Sequence, residues 1–136
     1  MKASTSVIPF AIVLSVISFC ACVSNSGSTI ITGGYKATWT KAIITRSIYK
    51  NESLVPAYVF AVGHNNKFIF AKQHPVAEYA SKPDTSVTNY YLIEITDGEF
   101  QNKPVHGPLT KGAFDSLCSN LKVTEVLFNM QYDENP

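Results

Sequence analysis

The sequence VPAYVFAVGHNNKFIFAKQHP, residues 55 to 75, decides the fold, because two apolar runs flank a short polar stretch. Asn tolerates a positive φ angle better than any residue except Gly, so Asn65-Asn66 predicts a two-residue turn of the primed type. The flanking runs then pair as a β-hairpin. In the predicted register, Val62 faces Ile69 and Phe60 faces Ala71.

Both faces of this hairpin would be largely apolar. One face is predicted to carry Tyr58, Phe60, Val62, Ile69 and Ala71, and the other Val59, Ala61, Phe68 and Phe70, with Lys72 and His74 near one end. A sheet with one wet face alternates apolar and polar residues, so we predict that this hairpin is central and covered on both sides. Exposing each large apolar side chain would cost about 1.5 to 3 kcal/mol, which a small domain cannot sustain several times over.

Further strands are predicted at residues 35–39, 43–49, 90–96 and 126–130, with an edge strand at 103–106. Pro104 excludes that last segment from a central position because proline lacks the N–H that a sheet needs on both sides. The polar residues 76–89 are predicted to form a surface loop.

One helix is predicted after Thr110, which is a favourable N-cap residue. Leu109 and Phe114 have the spacing of a hydrophobic staple. The residues with helical spacing that would cover the sheet are Phe114, Leu117, Cys118 and Leu121. The sequence therefore predicts an α+β fold, a small antiparallel β-sheet of about five to six strands with one helix packed on a face, preceded by a signal peptide.

Residues 1–21 have the features of an export signal, with Lys2 followed by an apolar segment at 7–19. That segment is shorter than the roughly 20 residues of a transmembrane helix. Phe19-Cys20-Ala21-Cys22 then resembles the lipobox of bacterial lipoproteins, in which a small residue precedes the modified cysteine. The resemblance implies cleavage before Cys22 and lipid attachment there.

Two alternatives to this interpretation stay open. Cleavage before Cys20 is one, although Phe19 is large for the site; a plain secretory signal cut near Ala21, leaving Cys22 as a free thiol, is the other. Residues 23–29, VSNSGST, have the composition of a flexible linker. The predicted division is a signal peptide at 1–21, a lipidated Cys and linker at 22–30, a single domain at 31–130 and a frayed tail at 131–136.

Charge and cysteine content exclude several classes of protein. Lys2 is one of 11 basic residues, so removing the signal leaves 10 against 10 acidic residues, a balance that argues against a nucleic-acid-binding surface. Three cysteines, two of them near the signal, imply no disulfide framework.

Five short segments outside the signal carry a second resemblance. They are Gly33–Lys36 (GGYK), Ser47–Lys50 (SIYK), Ala71–Pro75 (AKQHP), Tyr90–Ile95 (YYLIEI) and Gly107–Thr110 (GPLT). Together they are similar to a family of small bacterial envelope lipoproteins of unknown function. This resemblance implies no activity.

Few residues are candidates for a binding site. Lys72 and His74 share a face in the predicted register, which we interpret as a charged strand end that reaches solvent, with a small polar pocket at that end of the sheet as the alternative. Trp39, the only tryptophan, is interpreted as a cap on the edge of the core, and it is also a candidate to stack on a ligand such as a sugar. The spacing of the three histidines is not that of metal ligands; they are His64, His74 and His106. Neither a metal nor a cofactor is therefore expected.

The sequence favours a non-catalytic binding or structural module, lipid-anchored to the cell membrane or outer membrane with its domain outside the cytoplasm and a protein partner in the envelope. No nucleophile, phosphate-loop or carboxylate-pair motif is present. One alternative is an inhibitor or immunity protein that blocks an enzyme's cleft with the 76–89 loop. A second is an envelope hydrolase with His74 or His106 as its base.

Overall fold

The structure, a computed structural model, describes residues 26–97 and 104–132. In these residues, antiparallel strands form two sheets, and one α-helix lies between the last two strands. The elements are β1 (Gly27–Thr32), β2 (Tyr35–Trp39), β3 (Ser47–Lys50), β4 (Glu52–Val55), β5 (Val59–His64), β6 (Phe68–Gln73), β7 (Asn89–Glu94), β8 (Val105–Leu109), α1 (Lys111–Asn120) and β9 (Met130–Gln131). No helix in the described part of the chain has the length and apolar character needed to cross a membrane.

The first sheet has the strand order β1-β2-β3-β4, and the second has the order β8-β7-β6-β5-β9. The prediction of an antiparallel sheet with one helix is confirmed, but the fold is mostly β and has two sheets. The main core joins both sheets and contains Ile31, Tyr35, Ala37, Ile48, Val55, Val59, Val62, Ile69, Ala71, Tyr91 and Ile93. Separate sheets form because β3 pairs with β2, and β4 pairs with β3, instead of with the central hairpin.

The β5–β6 hairpin is covered on both faces, as its apolar composition predicts. Val62 and Ile69 are fully buried in the core between the sheets. On the opposite face, Phe70 belongs to a second cluster with Leu92 and with Phe114 of α1. The rings of Phe70 and Phe114 meet edge to face with centroids 6.4 Å apart.

The predicted register of the hairpin is wrong by two residues. Val62 lies opposite Ala71, because the turn is formed by Asn66 and Lys67 instead of Asn65 and Asn66. Asn65 is responsible: its side-chain Oδ1 accepts hydrogen bonds from the backbone N–H groups two and three residues later, both at 2.8 Å. An Asn side chain that bonds its own backbone in this way moves the turn one residue along the chain.

A β-bulge at Phe60 also changes which side chains of β5 lie on each face of the sheet, so the predicted faces are partly wrong. The register shifts between Val59 and Ala61, because a bulge places two residues opposite one. Val59 consequently joins Val62 in the core between the sheets, whereas the alternation predicted it on the other face. The Phe60 ring stacks on His74, with centroids 4.1 Å apart.

The predicted strand at 43–49 is only partly right. Residues Ile43–Thr45 form a 3-10 helix, and β3 begins at Ser47. The Thr45 hydroxyl donates to the backbone oxygens of Thr40, at 2.8 Å, and Ala42, at 2.7 Å. Such local side-chain bonds compete with strand pairing.

The first and last strands lie close to the predicted domain boundaries. β1 begins at Gly27, inside the segment predicted as linker, so the folded chain starts before residue 31. At the other end, only Met130 of the predicted 126–130 strand pairs with β5, together with Gln131. Residues 133–136 of the predicted tail lie outside the described residues.

The position, N-cap and buried face of α1 agree with the prediction. The Thr110 side chain accepts a hydrogen bond from the backbone N–H of Ala113 at 3.2 Å, which confirms the N-cap. Phe114 and Cys118 are buried, and Leu117 and Leu121 are partly buried against the same cluster. β8 is an edge strand as predicted, although it begins at Val105.

The two sheets share two ends, which position the sites described below. At the β1-start end, defined by Gly27, Trp39 and Arg46, the Val59 N–H donates to the Arg46 oxygen at 2.9 Å. At the hairpin-tip end, defined by Gly34, Lys50 and residues 65–67, the two sheets meet again. There the Lys50 Nζ donates to the Thr96 oxygen at 3.1 Å, and the Ile95 N–H donates to the Lys67 oxygen at 2.8 Å.

Candidate binding groove

A groove of about 540 Å³ opens at the hairpin-tip end, between the β5–β6 turn and the chain that follows α1. It is lined by Asn65, Asn66, Lys67, Phe68, Leu121, Lys122, Val123 and Thr124. Its volume lies within the range of about 300 to 1,000 Å³ that is usual for small-molecule sites. We refer to it as the hairpin-tip groove.

Local hydrogen bonds fix both walls of this groove. The Asn65 side chain holds one wall by closing the hairpin turn. The other wall begins where α1 ends: Lys122 has a φ of 55°, and the Val123 N–H returns to the Cys118 oxygen at 2.8 Å. A left-handed residue directly after a helix reverses the chain and satisfies the last carbonyls. The groove is therefore preformed by backbone geometry.

The chemistry of the groove combines an apolar surface with positive charge. Phe68, Leu121 and Val123 pack against the second core cluster and supply the apolar part. Lys67 and Lys122 are exposed, and neither ammonium has a carboxylate within 4 Å among the described residues. A ligand with an anionic group and an apolar portion would complement both features.

A second cavity, of about 290 Å³, lies at the β1-start end, where the polar pocket near His74 was predicted. It is lined by Pro56, Ala57, Gln73, Pro75, Val76, Asn89 and Tyr91. Its amides bond to protein: Gln73 donates to the Ala57 oxygen at 2.9 Å, and Asn89 donates to the Gln73 side chain at 3.0 Å. Burial raises the pKa of the Tyr91 hydroxyl. These polar groups hold the cavity wall together.

Lys72 and His74 do not converge as the predicted register suggested. The Lys72 ammonium lies 4.5 Å from the centroid of the Phe128 ring. His74 is 4% exposed, stacks on Phe60, and places its Nδ1 2.7 Å from the Val87 oxygen. Neither residue lines the hairpin-tip groove or the second cavity. The His74 environment is created by the bulge at Phe60 and by the contact with Val87 of the 76–88 loop, neither of which was predicted from the sequence.

Trp39 lies half-buried at the β1-start end, where its ring covers Gly27. The guanidinium of Arg46 lies 5.7 Å from the Trp39 ring centroid and 3.8 Å from that of Tyr132. Arg46 is only 5% exposed, so it links the first sheet to the end of the described chain. Burial raises the pKa of the Tyr132 hydroxyl, and the Arg46 charge opposes that increase. Sequence reasoning missed Arg46 because the aromatic ring nearest to its guanidinium, that of Tyr132, is distant in sequence.

Groups with catalytic potential are dispersed. His106 Nε2 lies 3.9 Å from Glu94 Oε2, beyond hydrogen-bond range, and neither residue lines the two cavities. His64 is exposed beside the hairpin turn. Burial raises the pKa of the Cys118 thiol, which lowers its nucleophilicity at neutral pH.

Two other expectations concern metals and lipid. Within residues 26–97 and 104–132, no group of three or more His, Cys, Asp or Glu side chains could hold a metal ion. The predicted lipid-attachment residue, Cys22, lies outside the described residues.

Comparison with known proteins gives one match. A family model described as a protein of unknown function, DUF3997, matches residues 26–131, which is nearly all of the described chain. No curated protein and no solved structure matches the sequence.

Proposed function

The chain belongs to the DUF3997 family of unknown function, and we propose that it is a bacterial envelope lipoprotein, anchored through Cys22, whose domain binds a ligand without catalysis. The hairpin-tip groove is the observation that carries the proposal. It offers an apolar surface of useful size with two lysines that lack carboxylate partners among the described residues. Among the described residues, none that lines the groove is a His, Asp, Glu or Cys.

The proposed anchor is supported by the order of segments along the chain. An export signal and a lipobox-like Phe19-Cys20-Ala21-Cys22 sequence precede a domain whose first strand begins at Gly27. The acyl chains of a lipid-modified cysteine contribute about 0.8 kcal/mol for each buried CH₂ group, and several chains together make release negligible. Such a protein would stay in the cell membrane or outer membrane with its domain outside the cytoplasm.

Serine substitution of the two neighbouring cysteines tests the anchor. Cys22→Ser should move the protein from the membrane to the soluble fraction, because serine cannot form the thioether that carries the lipid. Cys20→Ser is the matched control and should leave the protein in the membrane. Retention of the Cys22→Ser protein, with release of Cys20→Ser, would transfer the attachment to Cys20. Retention of the double variant Cys20→Ser/Cys22→Ser would eliminate lipid anchoring at these residues.

Charge removal tests the groove. We expect Lys67→Gln/Lys122→Gln to reduce capture of an envelope component by the purified protein at least tenfold, because the two ammonium groups would supply charge-assisted hydrogen bonds to an anion. Lys36→Gln/Lys111→Gln removes the same charge from exposed residues outside the groove and should preserve capture. Equal capture by the two double variants would contradict the proposed site.

Inhibition of an envelope-active enzyme is a second candidate function, favoured by the 76–88 loop. Tyr79, in this loop, is 98% exposed. The loop is held by hydrogen bonds from the Asp84 N–H to the Pro75 oxygen at 2.8 Å and from the Val87 N–H to the Asp84 oxygen at 3.2 Å. A preformed loop with a protruding aromatic residue is a known means of filling a cleft. Loss of protection against a co-encoded lytic enzyme on Tyr79→Ala would support this function.

The hydrolase alternative has less support. A histidine acting as general base must come within about 2.6 to 3.2 Å of its partner, directly or through one water. The Glu94–His106 separation of 3.9 Å lies on the β7–β8 pair, away from both cavities.

A further inference from the structure

The short chain between Cys22 and the first strand restricts how the domain can sit on a membrane. From Cys22 to Gly27 there are five residue steps, which span at most about 18 Å when fully extended. β1 runs from Gly27 to Thr32, which is also five residue steps and about 17 Å. To bring the hairpin-tip end to the membrane, the tether would have to reverse at Gly27 and run fully extended along the whole of β1, which leaves almost no length for the reversal.

Exposed apolar side chains are concentrated at the β1-start end, which this tether would keep close to the membrane. The 76–88 loop leaves the second sheet beside Gln73, which pairs with Val59, and Val59 is bonded to Arg46 at the β1-start end. Of six large hydrophobic residues exposed in the described chain, three are in this loop: Val76, Tyr79 and Val87. Clustered exposed apolar residues mark an interaction surface.

From these observations we infer that the β1-start end lies on the surface of the phospholipid bilayer, with Trp39 and Tyr79 at the level of the lipid headgroups. Tyr and Trp are enriched at membrane interfaces because their rings are apolar and their polar groups stay hydrated. The inference rests on the proposed lipid anchor at Cys22. The anchor supplies the affinity, so the loop contact only has to orient a domain that is already held nearby.

The charges at this end favour a bilayer contact that does not depend on anionic lipid. Exposed Lys41 and Lys82 are balanced by exposed Glu78 and Asp84. The side-chain and backbone hydrogen bonds from Ser86 lower the pKa of Asp84, so they favour its carboxylate form. The orientation should therefore persist in neutral phosphatidylcholine and at high salt.

Tryptophan fluorescence provides a direct test, because Trp39 is the only tryptophan. The lipidated chain is placed in phosphatidylcholine vesicles, some of which contain phosphatidylcholine brominated on its acyl chains, a contact quencher. The second probe is Trp39→Phe/Tyr79→Trp in the 76–88 loop. The matched control is Trp39→Phe/Glu52→Trp, because Glu52 is exposed and lies beside Lys50 at the hairpin-tip end.

We expect brominated lipid to quench the fluorescence of Trp39 and of the Tyr79→Trp probe about twofold more than that of the Glu52→Trp probe. The reason is that the first two indole rings would lie at the membrane interface and the third would lie away from it. We also expect the difference to be unchanged between about 0.1 and 1 M salt. Equal quenching at the two ends, in protein that floats with the vesicles, would overturn the orientation alone. An unquenched Tyr79→Trp probe would overturn it in favour of a loop reserved for a protein partner.

Mass spectrometry of the same sample separates this inference from the proposed function. Acyl groups on Cys22 are required by both. Their absence would overturn the anchor and the orientation together, whereas acylated, vesicle-bound protein without the quenching difference would leave the anchor standing.

Discussion

Gly63→Ala should be among the most damaging small substitutions in this protein. Gly63 is buried in β5, and a Cβ atom added there would overlap the backbone oxygen of Leu127 and lie 3.2 Å from the Phe128 Cα. Backbone atoms cannot rotate away as a side chain can. The segment 123–129 would have to move off β5 to admit one methyl group.

The expected cost follows from what this movement disrupts. Overpacking a core usually costs about 1 to 3 kcal/mol, and the upper value applies where the obstacle is backbone. The Phe128 ring packs against Phe70, with centroids 6.3 Å apart, and against Phe114, with centroids 6.4 Å apart. We therefore expect the free energy of unfolding to fall by about 3 kcal/mol, a large share of the roughly 5 to 15 kcal/mol that stabilises an ordinary domain.

Gly112→Ala is the matched control, since it makes the same chemical change in α1 with no atom within 4 Å of the new Cβ. A glycine in the middle of a helix costs about 0.5 to 1 kcal/mol relative to alanine, so replacing Gly112, in the first turn of α1, should raise the free energy of unfolding by up to that amount. Both variants can be compared in the released Cys22→Ser background by urea unfolding, followed by the fluorescence of Trp39. The midpoints should move in opposite directions with similar slopes.

A loss below about 1 kcal/mol for Gly63→Ala would refute the packing argument, because a rigid backbone contact must cost at least the lower end of the overpacking range. The same conclusion would follow if the two glycine substitutions changed stability with the same sign. Either result would mean that segment 123–129 is not seated on β5.

Three further predictions concern single side chains. Thr110→Ala should lower the free energy of unfolding by about 1 kcal/mol in urea denaturation, because it removes the N-cap bond, whereas Thr110→Ser should largely preserve it. Arg46→Leu should cost about 2 kcal/mol and Arg46→Lys less, measured in the same way, because only the planar guanidinium stacks on both Trp39 and Tyr132. Burial raises the pKa of Tyr91 and Tyr132 in the folded state. The stability that their neutral hydroxyls provide is therefore complete below the unfolded pKa of about 10, and it is lost as pH rises through the folded pKa. Tyr132→Phe should reduce this loss of stability in denaturation measured from about pH 9 to 12.

Local chemistry explains the parts of the fold that the sequence predicted. The Thr110 cap and the apolar stripe of α1 depend on residues within one or two helical turns, so the pattern contains all the information that the helix needs. The double burial of the hairpin was also predictable, because composition alone shows two apolar faces. The hairpin-tip groove was not predictable, because one of its walls comes from residues 65–68 and the other from residues 121–124.

The errors arise where two local conformations compete, because the pattern of residues does not show which of the two is more stable. Alternation predicted that Val59 and Ala61 share a face, but a bulge at Phe60 placed Val59 in the core between the sheets. The turn moved by one residue because Asn65 bonds its own backbone. Two separate sheets could not be read from strands as short as β3 and β4, each of four residues.

The two proposed functions, membrane contact and ligand binding, lie at opposite ends of the domain. A tether of at most about 18 Å, hardly longer than β1 itself, would bring the β1-start end to the bilayer, so the hairpin-tip groove would face away from it. An anionic ligand would then approach Lys67 and Lys122 from the aqueous side, remote from lipid phosphates that could compete for the same charges. The short tether, in this arrangement, both retains the domain and keeps its binding groove accessible.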